Sequence, residues 1–400
     1  MLSVAEARAR ILAPLRPTPA EIVALSDAWG RVTAAALTAR LTMPPAAVSS
    51  MDGYALRAAD GQLGAVLQVV GSAPAGHPYA GQAGPGQAVR LFTGSVVPPG
   101  ADSVIIQEDV RAEADRITLG VAVQPGQHIR PAGLDFSAGD ELAPAGIRLG
   151  ARTIGLAAAG NHAWAAVHRR PRIGILATGD EIGLPGDPIG PGGIVSSNAH
   201  ALAGLVRAGG GEPMLLPIAR DSLAALAGAV RHLSGLDMLV TTGGASVGEH
   251  DLVRDGLGPD FALGFWRIAM RPGKPLLSGT LGGIPVLGLP GNPVSALVCA
   301  VLFLWPALAR LSGLPGAALP LTPLPLGTDL PANDHREDYL RAALRPGPDG
   351  AELVMPFPRQ DSSMMRTLAQ ADALVMRPPN ASAIQAGALV SILRLDAFGL

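Results

Sequence analysis

The chain has 400 residues, of which 48% are hydrophobic and 16% are charged. This length exceeds one hydrophobic core, so two to four domains are expected, and the composition excludes extensive disorder. The formal net charge of −2 excludes bulk attraction to nucleic acid or to an anionic membrane. An anionic ligand must therefore be held by a local cluster of basic residues.

A single cysteine, Cys299, excludes an intramolecular disulfide and a cysteine-rich zinc site. Because it lies in an apolar run, we interpret it as a buried, inert thiol. That run, 296–308, contains Pro306 and is shorter than the roughly 18 residues that a membrane-spanning helix needs. The N-terminal segment has no apolar core of signal-peptide type. We therefore expect a buried core helix and a cytoplasmic protein.

In the first half of the chain, sequence patterns typical of helices alternate with patterns typical of β-strands. Residues 1–40 place apolar side chains at helical spacing with proline breaks between them, which predicts two helices. Short apolar pairs among glycines and prolines predict a β-rich domain over 42–137. Residues 138–171 predict a turn and then a helix from about Gly150 to Ala159. Segments 1–41 and 138–171 are therefore expected to form one helical linker domain, into which the β-rich domain is inserted.

Strands and helices then alternate strictly over 172–319, which predicts a mostly parallel, doubly wound α/β domain. Its helices are predicted to start at Asn198 as N-cap, at Asp221 or Ser222, and at Asn292 with Pro293 in the first helical position. After about residue 320 the proline and glycine density returns, which predicts a C-terminal, barrel-like β domain over 320–400. The expected fold class is thus multidomain α/β plus β.

Ligands of doubly wound sheets bind outside the carboxyl ends of the strands. The third of these predicted ends, 239–251, is glycine-rich, and its backbone amides suit a phosphate. Carboxylates beside a phosphate would repel it unless a divalent cation lay between them, so an Mg²⁺ site is predicted. Helix capping by each acid is the alternative. The residues concerned are Gly243, Gly244, Ser246, Gly248, Glu249, Asp251, Asp221, Asp180 and Glu181.

Basic residues are concentrated in one short segment. The chain has 29 arginines and one lysine, Lys274, which lies within eight residues of Arg267 and Arg271. A compact ammonium and two guanidinium groups on a strand and tight turn can neutralise a phosphate or another dianion. A solvated strand end is the alternative interpretation. His200 and His250 lack a second ligand at metal-binding spacing, so neither is predicted to bind metal.

These residues fall in motifs that resemble the MoeA/gephyrin family of molybdopterin molybdenumtransferases, in the order that the family has them. The motifs are SMDGYA (50–55), FTGSVVPPGAD (92–102), R-x-x-G-x-D (130–135), TGDE (178–181), TTGGASVGEHD (241–251), MRPGKP (270–275), GLPGNPVSA (288–296) and REDYLRA (336–342).

The resemblance implies an elongated homodimer of four-domain subunits with the active site at the subunit interface. It implies that adenylylated molybdopterin binds, that its pyrophosphate bond is hydrolysed with Mg²⁺ present, and that molybdate is inserted, giving molybdenum cofactor and AMP. The adenylyltransferase and downstream cofactor-handling proteins are implied as partners; nucleic acid and membrane are not.

The motif matches allow the roles of the family's functional residues to be assigned to positions in this chain. Asp221 and Asp251 would handle Mg²⁺ and phosphate, with Glu181 in the same cleft. The pterin substrate and molybdate would be held by a larger set: Gly243, Gly244, Ser246, Gly248, Arg267, Arg271, Lys274, Pro275, Pro290, Pro293, Arg336 and Ser362. Four residues of the β-rich domain would approach from the partner subunit: Asp52, Thr93, Arg130 and Asp135.

Two alternatives remain open from the sequence. A molybdopterin adenylyltransferase resembles the 172–312 region and shares its glycine-rich loop, but is usually shorter and lacks the SMDGYA and PGKP elements. A non-catalytic scaffold on the same fold is the second alternative, against which the intact carboxylates and cations argue.

Overall fold

The structure, a computed structural model, describes residues 1–400 except 232, 244–255, 317 and 349. Its described strands form three six-stranded sheets and four two-stranded sheets. The helices, in chain order, are α1 (Val4–Leu12), α2 (Ala151–Ala159), α3 (Ser197–Ala208), α4 (Leu223–Ala229), α5 (Pro293–Leu311) and α6 (Met365–Ala369). Short 3₁₀ turns occur at Leu25–Asp27, Ala58–Asp60, Gln107–Asp109 and Asp396–Phe398.

Twelve strands precede the central sheet. They are β1 (Ala20–Ala24), β2 (Leu37–Thr38), β3 (Val48–Ser49), β4 (Gly53–Leu56), β5 (Val66–Ala73), β6 (Gln87–Leu91), β7 (Ser103–Ile106), β8 (Val110–Glu113), β9 (Arg116–Leu119), β10 (Ile129–Arg130), β11 (Glu141–Ala143) and β12 (Trp164–His168). Six of them form one sheet in the order β7-β4-β6-β5-β9-β8. The strands expected between residues 42 and 137 are therefore present.

The start of the chain corrects one prediction. Helix α1 begins with a capping box in which Ser3 and Glu6 satisfy each other's backbone amides. The second predicted helix is wrong, because residues 20–24 form β1, which pairs antiparallel with β12. Pro17 and Pro19 cannot continue a helix, and the strand gains its hydrogen bonds from the chain segment that follows α2.

Six of the nine described strands between β12 and α5 form the central sheet. The nine strands are β13 (Arg172–Ala177), β14 (Ile182–Gly183), β15 (Ile194–Val195), β16 (Glu212–Leu215), β17 (Met238–Thr242), β18 (Phe261–Trp266), β19 (Met270–Arg271), β20 (Leu277–Leu281) and β21 (Ile284–Leu289). The sheet order is β16-β13-β17-β21-β20-β18, parallel through β21 and antiparallel beyond it. Helices α3 and α4 cross between parallel strands, which confirms the doubly wound α/β domain.

Helix α5 is the apolar helix of the core. It is long and hydrophobic enough to cross a membrane, but 83% of its most apolar window is buried inside the protein. Its middle, Ala300–Leu304, widens into a π-helical turn just before Pro306. Proline has no amide to donate to the carbonyl four residues earlier, and a wider turn accommodates that loss. Cys299 lies fully buried here, as expected, and burial raises the pKa of its thiol.

The last sheet combines the C-terminal strands with one strand of the preceding region. Strands β22 (Leu321–Pro325), β23 (Glu337–Pro346), β24 (Glu352–Pro356), β25 (Ala373–Arg377) and β26 (Leu389–Arg394) follow α5. The sheet order is β19-β23-β25-β26-β22, with β24 also paired to β23. Because β19 pairs parallel with the start of β23, the turn after β19 lies between the central sheet and the C-terminal sheet.

Candidate functional site

A cavity of about 620 Å³ opens where β13, β17 and β21 reach their carboxyl ends. Parallel α/β sheets place their ligand sites at this edge. Five residues predicted from the sequence line it: Glu181, Gly243, Pro275, Pro290 and Pro293. The other residues of its wall are Ala177, Thr178, Ile182, Ile194, Val195, Ser196, Ser197, Asn198, Thr242, Gly291, Asn292, Ser295, Ser363 and Met365.

Asn198 joins two of the strand ends below the cavity. Its Nδ2 donates to Thr242 Oγ1 at 2.9 Å and to the Gly291 carbonyl at 2.7 Å. Thr242 Oγ1 donates in turn to the Pro290 carbonyl at 3.2 Å. The prediction of Asn198 as a helix cap is wrong, because the N-cap of α3 is Ser196, two residues earlier. The side chain instead fixes the cavity floor, a tertiary contact that local spacing does not encode.

The start of α5 forms another wall. Asn292 is the N-cap and Pro293 the first helical residue, as predicted. The Asn292 side chain does not cap the helix; its Nδ2 donates to Ser362 Oγ at 2.9 Å, and the Ser362 carbonyl accepts from the Val294 amide at 3.1 Å. The predicted Ser362 is therefore held against a helix N-terminus, where backbone amides favour anions.

A buried arginine, which sequence reasoning missed, holds the segment that carries Ser362. Arg341 lies on β23, is 1% exposed, and donates to the carbonyls of Asp361 at 2.9 Å and Met364 at 3.2 Å. Gln360 Oε1 accepts from the Arg341 amide at 3.0 Å. Burial lowers the pKa of Arg341, and the Asp361 carboxylate offsets part of that effect. The signal available in the sequence was a second arginine in the REDYLRA motif.

Of the predicted glycines of the 239–251 segment, Gly243 lies within the described residues. Gly243 has φ +98°, and a Cβ there would lie 2.2 Å from the Thr178 carbonyl oxygen, so no larger residue fits. Gly244, Ser246, Gly248 and Asp251, which sequence reasoning placed at the phosphate and Mg²⁺, lie outside the described residues, together with Glu249 and His250.

Asp221 is not among the described residues that line the cavity. Its amide donates to Asp180 Oδ1 at 3.1 Å, and Ser222 caps α4 through the Ala225 amide at 3.2 Å. Among the described residues, no three His, Cys, Asp or Glu side chains are grouped as metal ligands would be. Mg²⁺ commonly takes one or two carboxylates plus phosphate oxygens. The exposed Asp221 carboxylate, in no ion pair within the described chain, is a ligand of the kind that such a site requires.

The cations of the MRPGKP turn differ in their partners. Lys274 is exposed and forms no ion pair with a described residue, whereas Arg271 pairs with Asp338 and, at 3.7 Å, with Asp334. The Asp334 carboxylate also accepts hydrogen bonds from the Arg336 guanidinium. These bonds hold the pKa of Asp334 well below its usual range. Two of the cations predicted to hold a dianion therefore already have carboxylate partners.

The predicted residues of the β-rich domain form a separate group. Asp52 Oδ1 accepts from the Thr93 amide at 2.7 Å and from Thr93 Oγ1 at 2.9 Å, which lowers the pKa of Asp52. Arg130, on β10, and Asp135 are exposed. No residue between 42 and 137 is among the described residues that line the cavity. One copy of the chain thus brings Asp52 and Thr93 together without bringing them to the cavity.

Three family profiles cover nearly the whole chain. The MoeA N-terminal region (domain I and II) matches residues 2–160, the probable molybdopterin binding domain matches 174–310, and the MoeA C-terminal region (domain IV) matches 323–395.

Full-length relatives agree. The chain is 36% identical to a molybdopterin molybdenumtransferase of Nostoc sp. over 94% of this chain and 88% of that protein. It is 33% identical to molybdopterin molybdenumtransferase 2 of Mycobacterium tuberculosis over 98% and 99% of the two chains. The crystal structure of the molybdopterin biosynthesis MoeA protein from Pyrococcus horikoshii superposes with a TM-score of 0.86, at 28% identity, over 98% of this chain and 99% of that one. The chain therefore belongs to the MoeA family.

Proposed function

We propose that this chain is a molybdopterin molybdenumtransferase, which inserts molybdate into adenylylated molybdopterin and releases AMP, giving molybdenum cofactor. The observation that carries the proposal is the cavity at the strand ends, whose wall has a glycine-only turn, a helix start and Pro275, the residue after the chain's one lysine. The glycine turn and the helix start suit the phosphate of a phosphorylated pterin, and the neighbouring lysine turn suits a tetrahedral dianion. The curated relatives that carry this name support it.

The phosphate end of the substrate would bind at the β17 and α5 side of the cavity. Gly243 lets the backbone approach a ligand closely, and the positive end of the α5 helix dipole would favour an anion there. Pro290 and Pro293 set the shape of that helix start, and Asn198 keeps the two strand ends together. Gly244, Ser246 and Gly248 would extend the amide cradle.

Asp221 and Asp251 would hold an Mg²⁺ ion beside the phosphoanhydride. Bound there, the ion would offset negative charge on the phosphate oxygens during hydrolysis. Glu181 lines the same cavity and would orient the substrate or the attacking water by accepting a hydrogen bond.

Molybdate would bind at the MRPGKP turn, next to the pterin rather than in the phosphate cradle. Lys274 supplies a compact ammonium with no described carboxylate to compete for it, which suits a tetrahedral dianion. Pro275 lines the cavity beside it, and Ser362 is held nearby at the α5 start. Arg271 and Arg336 would contribute through the network that they share with Asp334 and Asp338, whose two carboxylates already balance their charge.

A homodimer would complete the site. Asp52, Thr93, Arg130 and Asp135 are absent from the cavity wall of their own copy, so we infer that they reach the cleft of the partner. The inferred domains are 1–41 with 138–171, 42–137, 172–319 and 320–400. We place the enzyme in the cytoplasm, receiving its substrate from the adenylyltransferase and passing its product to cofactor-handling proteins.

The test of function is product formation by purified protein with Mg²⁺, adenylylated molybdopterin and molybdate. We expect AMP and molybdenum cofactor to appear together, and Asp221→Asn to lower AMP release by at least about tenfold because a metal ligand is weakened. Asp115→Asn, the same change on the exposed β8–β9 turn, is the matched control. If the wild-type protein yields neither product, the transferase proposal is wrong.

Complementation tests the shared site. Asp52→Asn and Asp221→Asn should each inactivate a homodimer, but a mixed dimer would contain one site with both residues intact. Random 1:1 assembly gives half mixed dimers, so activity should recover to about a quarter of the wild-type value. Recovery would not occur if both residues served the cavity of their own subunit.

A further inference from the structure

Arg267 occupies an unusual position before the MRPGKP turn. Its φ is +77°, in the left-handed region that bulky residues rarely adopt. Its amide donates to the Leu276 carbonyl at 3.1 Å, and the next amide, of Ile268, donates to the Lys274 carbonyl at 3.1 Å. The backbone of Arg267 is therefore held directly against the turn that presents Lys274. Strained backbone of this kind persists where the surrounding structure fixes it, often at functional sites.

The side chain of Arg267 stacks on its neighbour instead of pairing with an acid. The guanidinium carbon lies 4.0 Å from the centroid of the Trp266 ring, well within cation–π distance. No described carboxylate lies within ion-pair distance of Arg267, in contrast to Arg271 and Arg336. The indole thus holds the guanidinium in place while its positive charge has no anionic partner in the described part of the chain.

Two hydrogen-bond donors of this pair remain unused. The Nε atoms of the two side chains, Trp266 Nε1 and Arg267 Nε, are both buried and meet no acceptor within the described part of the molecule. Buried donors are satisfied in nearly all native proteins, so these two donors require an acceptor that the described residues do not supply. An oxyanion supplies both the acceptors and the negative charge that the guanidinium lacks.

We propose that Trp266 is a positioning residue for the molybdate site, holding Arg267 as an unpaired cation beside Lys274. This proposal rests on the proposed function. It identifies the basic residues that can bind the dianion without first giving up a carboxylate partner. Lys274 and Arg267 form no ion pair with a described residue, whereas Arg271 and Arg336 belong to the balanced network with Asp334 and Asp338.

The test compares molybdate dependence in full-length variants. Trp266→Leu removes the ring and should raise the KM for molybdate about 3- to 30-fold, the range that cation–π contacts span, with kcat changed less than about twofold. Trp266→Phe keeps a ring and should stay within about threefold of the wild-type KM. Trp164→Phe, on the exposed end of β12, is the matched control and should match the wild type.

Coupling separates positioning from a general structural effect. If Trp266 acts through Arg267, then Arg267→Ala and Arg267→Ala with Trp266→Leu should have the same molybdate KM. An unchanged KM in Trp266→Leu, or its full increase repeated in the Arg267→Ala background, would overturn the proposal. Calorimetric titration with molybdate alone repeats the comparison without turnover, so failure of the proposal is distinguishable from failure of the transferase function.

Fluorescence covers the case in which Trp266→Leu does not fold. Molybdate should change the tryptophan emission of the wild type and of Trp164→Phe, and this change should be lost in Trp266→Phe. A full response in Trp266→Phe would place the anion away from the indole and contradict the proposal.

Discussion

Gly273 is the position at which the turn carrying Lys274 is most sensitive to a single added atom. Its φ is +119°, and a Cβ there would lie 2.5 Å from the Sγ of the buried Cys299. Gly273→Ala therefore combines backbone strain of about 1–3 kcal/mol with overpacking of about 1–3 kcal/mol. Gly283→Ala is the matched control, because Gly283 has φ +86° but nothing within 4 Å of its Cβ position. The two variants should differ in stability by the packing contribution alone.

Hydrogen exchange measures the effect where it arises. A chain of several domains need not unfold in one step, so the Ile268 amide, which donates to the Lys274 carbonyl at 3.1 Å, is the local probe. Gly273→Ala should speed its exchange by about 5- to 150-fold more than Gly283→Ala does, since about 1.4 kcal/mol corresponds to tenfold. Adding Cys299→Ala, which removes Sγ, should recover most of that difference. Equal exchange in the two glycine variants would refute the clash.

Three further predictions concern individual side-chain contacts. Arg341→Met removes charged hydrogen bonds to two carbonyls and should lower the unfolding free energy by about 1.5–3 kcal/mol. It should also loosen the 359–364 segment and increase its cleavage in limited proteolysis. Unchanged cleavage would contradict this prediction. Asn198→Ala should cost about 1 kcal/mol and raise the KM for the pterin substrate, whereas an unaltered KM would show that the strand ends do not need this contact.

The third of these predictions concerns pH. Thr93 holds the pKa of Asp52 below its ordinary value, so these bonds stabilise the fold above the unfolded-state pKa near 4, and that contribution is lost as pH falls through the folded-state pKa. Thr93→Val removes the hydroxyl but keeps the amide, so the pKa should rise part of the way toward its ordinary value. A carboxyl-carbon NMR titration in which the pKa does not move would contradict the assignment.

The sequence by itself determined the elements whose signals are local. The central alternation of strands and helices, the α2 helix from Ala151, and the Asn292–Pro293 helix start depend on periodicity and capping within a few residues, and the structure has them. The motifs likewise identified the family, because each is a contiguous run of residues. The core placement of α5 followed from its apolar composition and its length.

Only the tertiary structure decided what distant segments do to one another. Residues 20–24 become a strand because β12, over 130 residues later, supplies its hydrogen bonds. Asn198 leaves the cap position because two strand ends offer better partners for its amide. Arg271 resembles Lys274 in the sequence, yet β19 pairs with β23 and brings Asp338 to it, while Lys274 remains without a described acid. Charge pairing depends on which strands meet, and this is a property of the fold rather than of any local pattern.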